Sequence, residues 1–166
     1  MKRTIIILSL LLTFGFTILS ANHEIPLPEE GILDLRECVL NEQSIFDLDG
    51  EWIFHWEKLL TPENYKQFGT GGIPVTVPSY WSNYEIDGQS LPGWGYGTYS
   101  LKIILPEDYH SAICVDIPLF DVAYKFYLNK RLIGENGEVG TNPEEEKPWY
   151  EPGNFCYIPD SDTLLI

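Results

Sequence analysis

The chain of 166 residues carries 25 acidic against 10 basic side chains, a net charge of −15, and 14% of its residues are aromatic. Such a charge disfavours nucleic acid and anionic lipid as partners, and the aromatic content argues against a disordered chain.

The first element is a leader. Lys2 and Arg3 precede an apolar run from Ile5 to about Leu19, and Ser20 and Ala21 are small residues before polar Asn22. This is the pattern of a secretory signal peptide over residues 1–21, and the run is shorter than the roughly 20 apolar residues of a spanning helix. Cleavage takes Lys2 and Arg3 and no acid, so the exported part, residues 22–166, is more acidic still. Its length suits one domain with a real core, and its expected place is periplasmic or otherwise extracytoplasmic.

In "LDGEWIFHW" a turn at Asp47 to Gly50 leads into Trp52, Phe54 and Trp56 on one strand face, with Ile53 and His55 on the other. A row of exposed aromatics could stack on sugar rings. Three large rings on one face also supply the filling that a small β-domain needs, so they read as core. Thr61-Pro62-Glu63-Asn64 joins a capping residue, proline at the first helical position and an early acid, which predicts a short helix over 62–67. Trp81, after the short strand of "VPSYW", reads as a lid over one end of the fold.

"LPGWGYGTY" then places Trp94 and Tyr96 in a Gly-rich loop. Tyr99, Leu101, Ile103 and Leu105 alternate with Ser100, Lys102 and Ile104 as a strand that Pro106 ends. Ile113, Val115 and Ile117 repeat the pattern opposite Cys114 and Asp116, ending at Pro118. Tyr124, Phe126 and Leu128 lead through Asn129-Lys130 to Leu132-Ile133 and predict a hairpin, although Lys130 fits a type I′ turn poorly because both central residues need positive φ. Trp149 and Tyr150 sit in the Pro-rich loop "EEEKPWYEPG", and "NFCYIP" and "DTLLI" read as two last strands. Six or more short strands with almost no helix predict an all-β sandwich or jelly roll.

Chemistry is sparse. No G-x-S-x-G elbow is present, no Cys stands near a His as a nucleophile, and His23, His55 and His110 lack metal-ligand spacing. Asp47, Asp49 and Glu51 offer oxygens of the kind calcium wants, without EF-hand spacing. We therefore expect no catalytic residues, no metal and no cofactor. Cys38, Cys114 and Cys156 allow one disulfide and one thiol or three buried thiols, and spacing does not choose. Glu144 to Glu146 read as a solvated loop. Trp94, Tyr96, Trp149 and Tyr150 are the candidate ligand-binding residues, because contacts made by a rigid sandwich usually lie on its loops.

In order, "LDGEWIFHW", "VPSYW", "GYGTYSLKIILP", "DIPLFDVAYKFYLNKRLIGENG" and "DTLLI" resemble the amino-terminal sugar-binding jelly roll of family-two glycoside hydrolases. With "GILDLREC" and "GENGEVGTNPEEEKPWYEPG" added, residues from Gly31 to Ile166 resemble more closely the periplasmic jelly-roll sensor of bacterial seven-transmembrane receptors with diverse intracellular signalling modules. The resemblance implies a galactose-binding-domain-like jelly roll, cut short at its C-terminal strand after Ile166, that binds a small molecule such as a carbohydrate and meets the membrane only through helices further downstream. Lys130 departs from the Asn-Gly hairpin of the family. The alternatives are a detached, non-catalytic sugar-binding domain of a glycoside hydrolase and a truncated remnant, for which a sheet short of its last strand implies low solubility or dimerisation.

Overall fold

The computed structural model describes residues 25–67, 71–120 and 122–166. The leader expected over 1–21 lies outside the described residues. Among the described residues twelve short strands run in chain order: β1 (Ile32–Asp34), β2 (Gly50–Trp56), β3 (Ile73–Val77), β4 (Glu85–Ile86), β5 (Gln89–Ser90), β6 (Gly97–Ser100), β7 (Lys102–Ile104), β8 (Ile113–Ile117), β9 (Tyr124–Leu128), β10 (Arg131–Asn136), β11 (Gly153–Tyr157) and β12 (Thr163–Leu165). Among the described residues helix is confined to 3-10 turns at Pro62–Gln67, where the Thr-Pro-Glu signal lies, and at Trp81–Asn83. Among the described residues no helix is long and apolar enough to cross a membrane. The fold is all-β, consistent with a β-sandwich.

The strands form small sheets in the orders β1-β7-β12, β3-β2-β6, β10-β9, β11-β8 and β4-β5. β1 runs parallel to β7, and every other pairing is antiparallel. The run expected as one strand from Tyr99 to Leu105 is divided at Leu101. Its first half pairs with β2, and its second half pairs with β1 and β12. Leu101 keeps two backbone bonds at the division, to Ile166 O (3.1 Å) and from Ile166 N (2.9 Å). One strand therefore passes from sheet to sheet, which is how corners are made in packed sheets.

Two cores follow from that division. Leu33, Leu35, Leu101, Ile103, Leu105, Leu128, Tyr157 and Leu164 form the first, with Trp52 packed against it. Phe54, Val75, Tyr84 and Leu91 form the second, with Trp56, Trp81 and Tyr99 at its margin. Each fully buried leucine contributes roughly 1.5–3 kcal/mol through the apolar surface it removes from water. The three β2 aromatics do serve as filling, but they divide between the two cores. On the opposite face of β2, His55 is also buried.

The hairpin is as expected, with Leu128 opposite Arg131 and a two-residue turn. Asn129 takes the positive φ (54°) and Lys130 does not, so lysine is accommodated without a type I′ turn. Asn129 also bonds both backbone polar groups of Leu165 on β12, its N–H donating to Leu165 O (2.7 Å) and its Oδ1 accepting from Leu165 N (2.9 Å). Cys114 and Cys156 lie directly opposite on β8 and β11 and form a disulfide on an exposed face, leaving Cys38 as the half-buried thiol.

Candidate functional site

Strand direction brings two loops to one end of the molecule, and a side-chain bond joins a third to them. β8 ends at Ile117 opposite the start of β11 at Gly153, and β9 starts at Tyr124 opposite the end of β10 at Asn136. The β8–β9 connection and the long β10–β11 loop therefore leave from the same end. Rings of β9 and β11 stack between them, Phe126 on Phe155 with centroids 5.9 Å apart. Asn136, only 5% exposed, ties these two loops, its Nδ2 donating to Val122 O (3.3 Å) and Trp149 O (2.7 Å).

The loop before β6 joins them through Trp94. Its Nε1 donates to Glu146 Oε2 (3.0 Å), a contact across 52 positions of sequence. Beneath that loop, Trp56 meets Trp81 edge to face at 5.7 Å, and Trp81 Nε1 donates to Gly93 O (3.3 Å). Trp81 thus covers the end of the second core, as a lid would. Gly95 lies so close over Trp56 that a Cβ would stand 1.9 Å from the indole; only glycine permits that approach.

The β10–β11 loop is built rather than loose. Asn142 Oδ1 accepts the amides of Glu144 (3.2 Å) and Glu145 (3.1 Å), an Asn-Pro turn of the self-capping kind. Glu145 Oε2 accepts from Thr141 N and Oγ1, both at 3.2 Å. Bonds from Asn142 and Thr141 hold the Glu145 carboxyl below the usual glutamate range. Glu138 and Lys147 exchange both backbone bonds at 2.9 Å and pair through their side chains at 2.7 Å. Gly137, at φ 69°, passes the Lys147 carbonyl where a Cβ would stand 2.2 Å from its oxygen.

Of the four residues singled out by sequence, Trp94, Trp149 and Tyr150 are exposed, at 41%, 60% and 63%. Tyr96 is half-buried, and its carbonyl accepts from Glu57 N (2.9 Å). The structure brings the loops of Trp94 and Trp149 together through Glu146, three residues before Trp149. Leu119 and Phe120, exposed on the β8–β9 connection, add apolar surface at the same end.

Glu146 corrects the reading of Glu144 to Glu146 as solvated throughout: it is half-buried and occupied by Trp94. A contact between residues so distant leaves no local signal. The capping chemistry of Asn142-Pro143 was a signal for the turn that carries it.

A shallow open groove of about 290 Å³ runs beside β3 past Thr76, Asn83 and Tyr84. It holds none of the exposed tryptophans, and Tyr84 closes part of it by donating to Thr76 O (3.1 Å). Burial raises the pKa of Tyr84 and of its neighbour Tyr99. No group of three or more His, Cys, Asp or Glu able to hold a metal occurs among the described residues. At the oxygens considered for calcium, Glu51 Oε2 instead accepts Glu30 N (3.1 Å).

No protein-family model, curated protein or solved structure matches the chain. The functional reading therefore rests on the geometry of the loop end and on the sequence resemblance.

Proposed function

We propose that this chain is an exported binding module of the jelly-roll, galactose-binding-like type, which takes a small ligand, a saccharide, at the end formed by its three loops. One observation carries the reading: the Trp94 to Glu146 bond, which joins two loops bearing exposed indoles. Ring faces held in place by their edges suit the C–H surface of a sugar ring, and a loop already fixed by its own bonds loses little freedom on binding. The resemblance adds a role as the outer sensor of a seven-transmembrane receptor, in which ligand binding biases the loops and passes that bias to membrane helices.

A glycan screen followed by tryptophan-fluorescence titration tests the binding claim. Trp94→Ala and Trp149→Ala should each weaken a saccharide about tenfold or more, on the order of 1.4 kcal/mol, without changing the melting profile. Failure of every saccharide to bind removes the claim and leaves the fold untouched. The DNA beyond the Ile166 codon tests the receptor role: membrane helices support it, whereas a large soluble barrel points to an accessory domain of a glycoside hydrolase.

A further inference from the structure

The loop end has a polarity that its aromatic residues conceal. Both exposed indoles have already spent their one donor on a carboxylate, Trp94 on Glu146 (3.0 Å) and Trp149 on Glu151 (3.3 Å). Each ring, 41% and 60% exposed, has surface to present to a ligand and offers no N–H to a ligand acceptor. The other oxygens of the two glutamates, Glu146 Oε1 and Glu151 Oε1, accept no hydrogen bond among the described residues.

Basic groups that could balance these acids are scarce. Between positions 137 and 152 stand Glu138, Glu144, Glu145, Glu146 and Glu151 against Lys147 alone, and the loop from 91 to 96 has no charged residue. Lys147 is itself held by Glu138 at 2.7 Å. The field reaches inward as well. The Tyr124 hydroxyl, raised first by burial, is raised further by the charge of Glu151. A ligand entering here meets π faces and acceptors, and anything bringing its own carboxylate or sulfate meets repulsion.

We infer that the loop end takes an amino-bearing, cationic saccharide, whose ammonium lies over the Trp94 or Trp149 ring face and against the carboxylate that holds that ring. Attraction of a cation to an indole face and to an adjacent carboxylate acts on the charged sugar and not on its N-acetylated form. This rests on the saccharide reading given above and narrows it by charge.

The test compares a glucosamine tetrasaccharide, its N-acetylated counterpart and a uronic-acid tetrasaccharide, titrated by tryptophan fluorescence and calorimetry. The amino form should bind about tenfold more tightly than the acetylated one, a margin that shrinks in ~1 M salt, and the uronate weakest. The double variant Glu146→Gln, Glu151→Gln keeps an acceptor for each indole and should bring the amino and acetylated forms within about threefold. A control with two acids removed elsewhere, Glu37→Gln and Glu42→Gln, should leave the tenfold margin, which separates the site from the general field of an acidic chain.

Equal or tighter binding of the acetylated form, tightest binding of the uronate, or a margin that survives the double variant overturns the inference while the saccharide reading stands. A further arm uses tetramethylammonium as a sugar-free cation. If no saccharide binds yet this cation shifts the fluorescence of the parent and not of the double variant, the cationic character stands and the saccharide reading falls. Silence in both arms overturns both.

Discussion

The first core and the second are built from different side chains and do different work. The first is nearly all leucine and isoleucine, drawn from strands distant in sequence, and its members are at most 6% exposed. The second is aromatic: the Phe54 ring lies 4.5 Å from Tyr99, 5.6 Å from Tyr84 and 6.1 Å from Trp56, all tilted. It opens at one end, where Trp56 and Trp81 lie half-buried beneath the loop of Trp94. Aliphatic chains fill the volume where sheets must be held, and broad flat rings form a floor on which a loop can rest.

The largest effect should come from breaking the first core. Leu164→Ala empties a fully buried site and should cost about 2–5 kcal/mol, read as a lower urea midpoint, and should disturb the near-ultraviolet spectrum of the folded protein only slightly, through Tyr157 and Trp52. Gly95→Ala should do the reverse in kind. It drives a methyl into Trp56, costs about 1–3 kcal/mol through overpacking, and alters the near-ultraviolet tryptophan bands because the floor itself must shift. If both variants altered the spectrum equally, the division of labour would be wrong.

A smaller effect belongs to the far face of β2. Burial, with the charge of Lys58 in support, holds His55 below its ordinary 6.5. The unfolded chain therefore binds the proton first as pH falls, so stability is lost below about pH 6.5 and is fully present above it. Asp34, held down to about 2 by Arg36, loses its contribution only as pH falls from 3.8 toward that value. The slope of stability between about pH 7 and pH 5 should thus flatten in His55→Gln.

The smallest effect should be at Tyr157 in the first core, whose hydroxyl is buried with no hydrogen-bond partner among the described residues. Tyr157→Phe removes that group and keeps the ring beneath Arg131, 5.6 Å from its centroid. It should leave stability unchanged or raise it by up to about 1 kcal/mol in chemical denaturation.

Much of the fold was legible because its strands are half-buried. Ile113, Val115 and Ile117 alternate with exposed Cys114 and Asp116, and β11 alternates against them, so period two reports the packing directly. The division at Leu101 was not legible, since Tyr99, Leu101, Ile103 and Leu105 keep their alternation while the partner strands change. β4 and β5 meet across Asp87-Gly88 with φ of 52° and 76°, a pair suited to a tight hairpin, but strands of two residues carry no pattern to frame it. At the candidate site, exposure of Trp94 and Trp149 in Gly- and Pro-rich loops could be read from composition. Their meeting through Glu146, and the pairing of Cys114 with Cys156, depend on register between distant strands, which local sequence does not encode.

The passage of a single strand through Leu101 also bears on how the molecule comes apart. The chain that ends one ladder begins the other without a loop between them, so slack released on one side is taken up at once on the other. Peeling β12 from β7 withdraws both partners of the Leu101 peptide and loosens the last pair of β6 with β2, at Ser100 and Ile53. Amide exchange at Ser100 and at Ile103 should then report one opening event rather than two, and the aromatic floor is lost together with the leucine core.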